Sequence, residues 1–62
     1  MKRLDLLRHL RSHGCTLVRE GGRHSVWVNS AQGRHTTIPR HTEIDEYLTR
    51  KICKDLGIPP TR

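Results

Sequence analysis

The stretch from Thr16 to Pro39, TLVREGGRHSVWVNSAQGRHTTIP, decides the fold. Thr16-Leu17-Val18-Arg19 is short and β-branched, and Glu20-Gly21-Gly22 after it reads as a turn. His24-Ser25-Val26-Trp27-Val28-Asn29 follows as a second strand. Ser30 to Arg34, with Gly33, makes a hairpin loop, and His35-Thr36-Thr37-Ile38 returns as a third strand. Pro39 ends it, because proline has no N–H to donate to a ladder. Short turns between successive strands imply an antiparallel sheet.

Outward from this sheet the periodicity changes. Leu4, Leu7 and Leu10 recur every three residues, Leu6 widens the stripe, and Lys2, Arg3, Arg8 and Arg11 point elsewhere, which predicts an amphipathic helix from Arg3 to His13. His13-Gly14 stops it, with a cation in the last turn and a residue that accepts left-handed angles. On the other side Thr42 is read as an N-cap with Asp45 three residues on, and Glu43 and Glu46 favour the positive end of the helix dipole. Ile44, Leu48, Ile52 and Leu56 step by four, Glu46 and Arg50 form an i,i+4 pair, and Gly57 with Pro59-Pro60 ends a helix predicted over Glu43 to Leu56. The order α-β-β-β-α is an α+β fold in one domain, residues 1–62, with a three-stranded antiparallel sheet and both helices on one face. The other sheet face is left to solvent and to function.

Composition narrows the function. Twelve Lys and Arg against six Asp and Glu give a formal charge of +6 in 62 residues, and five histidines add more in acid. So short a chain has no room for a large enclosed active-site cavity. Trp27 and Tyr47 are the only aromatics, which argues against single-strand binders that stack bases on aromatic platforms; nucleic-acid binding would rest on phosphates and shape. Asp5, Arg8 and His9 interrupt any signal-peptide core after Met1-Lys2-Arg3, so a cytoplasmic location and no membrane contact are expected. Cys15 and Cys53 lack CxxC spacing and are read as buried free thiols, with a disulfide requiring an oxidising compartment.

The densest chemistry lies in Arg19-Glu20-Gly21-Gly22-Arg23-His24. Backbone N–H groups at a glycine turn can cradle a phosphate, and the flanking arginines add charge; the same residues also suit an ordinary hairpin turn with solvated charges. His24, at a strand start beside the turn, can exchange a proton near neutral pH, or serve as a plain surface histidine. A metal site built from His24, His35 and His41 is the competing use of these residues, but neither HExxH nor a cysteine pair accompanies them, so no metal and no cofactor is assigned. Nor is there a carboxylate cluster to hold magnesium.

Gly22-x-His24 leading into a strand with Trp27, the stretch Thr37-Ile38-Pro39-x-His41, and a closing helix ending in Leu56-Gly57-Ile58 together resemble the HicA family of toxins, over about Lys2 to Ile58. The resemblance implies an mRNA interferase with a double-stranded-RNA-binding-domain-like fold, in which the residue matching His24 is catalytic. Its glycine is matched by Gly22. Between them the family often has a small polar residue; here Arg23 offers a guanidinium to the scissile phosphate instead of a hydroxyl. The family keeps a large apolar residue at the place of Trp27, which implies Trp27 inward and, by alternation, His24 outward.

Pairing Trp27 with Ile38 then implies a loop from Ala31 to Arg34 and sets His24 opposite His41, a second histidine for the same phosphate. Arg19, Arg23, Arg34 and Arg40 gather around the open face in that register, and Gly22, Arg23, Arg19 and Arg40 are the expected RNA contacts. The expected partners are mRNA and a cognate HicB antitoxin that covers His24, with a monomer becoming a hetero-oligomer on antitoxin binding. The alternative is a basic RNA- or DNA-binding module that does not cleave.

Overall fold

The computed structural model describes Met1–Thr61. It has helix α1 (Arg3–Ser12), strands β1 (Thr16–Glu20), β2 (His24–Asn29) and β3 (Arg34–Pro39), and helix α2 (Glu46–Leu56). The strands form one antiparallel sheet in the order β1-β2-β3. Ser25, Trp27 and Asn29 of β2 and Thr36 and Ile38 of β3 turn to one face, where they meet Leu6, Leu7 and Leu10 of α1 and Ile52, Cys53 and Leu56 of α2. Both helices therefore cover the same face, as the two apolar stripes require. Among the described residues no helix is long and apolar enough to cross a membrane.

Alternation along β2 buries Trp27, 1% exposed, and leaves His24 exposed on the opposite face. The register differs from the expected one. Trp27 faces Thr36, Ile38 faces Ser25, and His24 faces Pro39, not His41. The loop is four residues long but runs from Ser30 to Gly33, because Gly33, at φ +62°, takes the left-handed position that returns the chain to β3. Asn29 must also sit where its side-chain amide donates to the Leu56 carbonyl at 2.7 Å. The slip is two residues in pairing, so every side chain keeps its predicted face.

Leu4 is 72% exposed and outside the core. At about 100° per residue it stands about 110° from the centre of the arc made by Leu6, Leu7 and Leu10, so the recurrence of three overstated the stripe. α2 begins three residues later than expected. Met1 and Lys2 pair with the segment before α2: the Ile44 N–H donates to the Met1 carbonyl at 2.8 Å, the Arg3 N–H to the Thr42 carbonyl at 2.8 Å, and the terminal ammonium to the Ile44 carbonyl at 3.0 Å. These bonds hold the segment around Glu43 extended and make the Thr42 carbonyl a partner for the start of α1. Asp45 is the N-cap instead, its Oδ1 accepting from the Leu48 N–H at 2.8 Å.

Both helices close in the same way. The Gly14 and Cys15 N–H groups return to Arg11 and Leu10, and those of Gly57 and Ile58 to Lys54 and Cys53, each glycine at positive φ and each following apolar residue buried.

Candidate active site

The site grows from the β1–β2 hairpin. Glu20 faces Ser25 as the last pair, and the Gly21 N–H donates to the His24 carbonyl at 2.8 Å, so Gly22 and Arg23 form the apex. At Gly21 a Cβ would stand 2.9 Å from that carbonyl oxygen, closer than real Cβ atoms come. Gly22 has open space around it. The glycine the turn demands is therefore Gly21, while Gly22 leaves an uncovered stretch of backbone.

Beyond the His24–Pro39 pair, the Arg40 N–H donates to the Arg23 carbonyl at 3.1 Å, which holds the chain leaving β3 against the apex. Gly22, Arg23, His24, Pro39, Arg40 and His41 consequently line one open groove. The two histidines expected to share a phosphate do line the same depression, although not by strand pairing: His41 reaches it from the segment after β3. Arg19 faces Val26 on the same outer face without lining the groove. Arg34 is elsewhere, at the opposite end of the sheet, donating to the Lys54 carbonyl at 3.4 Å. His35 is exposed and pairs with Val28, away from the groove.

Arg23 makes no ion pair among the described residues, whereas Arg40 is tied down. Its Nη1 lies 2.9 Å from Glu20 Oε2 and donates to the Gly21 carbonyl at 3.2 Å. Glu20 Oε1 accepts from Ser25 Oγ at 3.1 Å, Ser25 Oγ accepts from Arg3 Nη2 at 2.7 Å, and Arg3 Nε donates to the Pro39 carbonyl at 3.0 Å. Ser25 is fully buried, so this chain runs under the sheet from α1 to the groove. In the sequence Glu20 belongs to the turn, Ser25 to a strand and Arg3 to the polar side of a helix, and none of the three stands out as part of the site. A signal existed for one link, since counting a two-residue apex back from Gly22-Arg23 pairs Glu20 with Ser25; the other links join residues far apart in sequence.

The resolved pKa shifts lie outside the groove. Burial pushes the Cys15 and Cys53 thiols up, and both are free. The hydrogen bond from Lys51 Nζ, 3.1 Å away, lowers Asp55. Among the described residues no three His, Cys, Asp or Glu side chains come together to hold a metal ion. What the groove offers is two imidazoles, two guanidiniums and an open glycine backbone, a set suited to an anion and to proton transfer.

A protein-family model described as HicA toxin of bacterial toxin-antitoxin matches residues 4–58. No curated protein and no solved structure matches the chain.

Proposed function

Because the chain belongs to the HicA toxin family of bacterial toxin-antitoxin systems, we propose that it is an endoribonuclease, an mRNA interferase, with the His24 groove as its reaction centre. The observation that carries this reading is the meeting of outward-facing His24 with Arg23, Arg40 and His41 in one open groove. In RNA cleavage by the internal 2′-OH, a base takes the 2′ proton, the oxygen attacks phosphorus, and an acid protonates the departing 5′ oxygen. His24 fills one of these roles, with His41 as its partner for the other. Arg23 and Arg40 balance the charge that builds on the phosphorane, and the open backbone at Gly22 lets the phosphate approach. Arg19 extends the positive face along the RNA.

The toxin's cognate partner in this reading is a HicB antitoxin that covers His24 with an acidic surface, complementary to a chain of formal charge +6. Catalysis by two histidines needs no metal, so the test is a cleavage assay on a long RNA in EDTA, wild type beside His24→Ala. Cleavage lost in the variant, with RNA affinity kept within a few fold, supports the reading. Equal cleavage by both moves the chemistry off His24. RNA bound but cut by neither makes the chain a binding module.

A further inference from the structure

Arg40 is the one groove cation with a carboxylate partner within ion-pair distance among the described residues. A phosphate-binding arginine opposed by an acid at 2.9 Å loses affinity for its ligand, so the pairing works against simple RNA binding. The pair lies at the surface, its side chains 44% and 42% exposed, but it is anchored from below. Glu20 divides its two oxygens between Arg40 and buried Ser25, and Ser25 is held in turn by Arg3, which also grips the Pro39 carbonyl directly before Arg40. Arg40 Nη1 itself is shared between the Glu20 carboxylate and the Gly21 carbonyl, the residue whose N–H bonds His24. Two bonds, to a side chain and to a backbone carbonyl, thus tie the guanidinium to the hairpin whose second strand begins at His24.

We propose that Glu20 is a positioning residue: it holds the Arg40 guanidinium in a set relation to His24, so that a phosphodiester docks with its phosphorus before the imidazole, and it does so at the expense of affinity. Nη1 is committed to the tether, while Nη2 and Nε make no hydrogen bond among the described residues and remain as donors for a phosphate oxygen. A free arginine would bind the phosphate more tightly in many orientations, few of them reactive. The proposal rests on the nuclease reading for its effect on turnover, but not for its effect on binding.

The test is Glu20→Gln. A glutamine oxygen can still accept from Ser25 Oγ, but its amide turns donors toward Arg40 and breaks the tether without emptying the space. The probes are a single-stranded RNA substrate and the same oligonucleotide with 2′-O-methyl groups, which binds but cannot be cut. For the uncuttable oligonucleotide, the expected Kd falls about threefold and the slope of log Kd against log salt steepens by about 0.7, because the Arg40 charge facing the single strand is no longer offset by Glu20. For the substrate, kcat falls about tenfold or more while KM also falls, the slower turnover with tighter binding that loss of orientation produces. Adding Glu20→Gln to Arg40→Gln changes neither quantity further, because Glu20 acts through Arg40.

Weaker binding in a folded Glu20→Gln chain, unchanged Kd and slope, or an additive loss in the double variant overturns the proposal. A wild type that binds without cleaving removes the nuclease reading, and the Kd and salt-slope measurements then decide on Glu20 alone. A wild type that does not bind the oligonucleotide overturns both.

Discussion

At the residue scale, two adjacent glycines that look alike in sequence differ in what surrounds them. Gly21 backs onto the His24 carbonyl, where an added Cβ would stand 2.9 Å away, and Gly22 faces open space. Gly21→Ala is expected to force the hairpin backbone apart, costing about 1–2 kcal/mol, and to lower RNA cleavage by displacing His24; Gly22→Ala is expected to change stability by less than about 0.5 kcal/mol. Urea melts of the two variants check this, and equal losses would refute it. The glycine pair marked the turn in the sequence, but which member was indispensable depends on a contact with a backbone carbonyl across the hairpin. The role of Glu20 was hidden for a related reason. Its partners Ser25, Arg40 and, at one remove, Arg3 come from β2, the segment after β3 and α1, and no local pattern joins them.

At the element scale, the start of α2 shows local preference yielding to pairing elsewhere. Thr42 followed by Asp45 satisfies the capping pattern, but the Thr42 carbonyl serves the first N–H of α1 and the residues after it pair with Met1. Asp45 caps in its place. Asp45→Ala is therefore expected to cost about 1 kcal/mol, and Thr42→Ala only a few tenths, because the Thr42 contact uses its carbonyl; chemical denaturation of both variants distinguishes the two caps. The two buried thiols give a second expectation. Burial raises Cys15 and Cys53 above their ordinary 9.0, so the unfolded chain gives up these protons first. Stability is then complete below the unfolded value and falls as pH rises from about 9 upward. Thermal melts between neutral pH and pH about 10 should show the drop, and it should vanish in Cys15→Ala/Cys53→Ala. In the native chain at neutral pH both thiols should resist a thiol reagent until denaturant is added.

At the scale of the whole molecule, one layer of helices and one sheet share a small core around Trp27 and Ile38. A chain of this size rarely holds more than about 3–5 kcal/mol of stability, and removing a buried aromatic side chain costs about as much. Trp27→Ala is accordingly expected to be largely unfolded at room temperature by circular dichroism; a cooperative melt near the wild-type midpoint would contradict this account of the core. Among the described residues the buried Trp27 indole N–H has no partner, and the Arg11 guanidinium lies 5.1 Å from the ring centroid, so the residue contributes through its apolar surface and its π face. By itself the sequence determined the element order, the faces of the strands and the likeness to a toxin family, because these depend on periods of two and 3.6 residues, on glycine and proline positions, and on short motifs that survive a slip of two in register. Only the tertiary structure decided that His41 enters the groove from beyond β3, that Arg34 lies away from it, that α2 starts at Glu46 with Asp45 as its cap, and that Glu20 holds Arg40. Each of these depends on a hydrogen bond or an approach between distant segments, whose geometry is set by the packed molecule and is invisible to any local pattern.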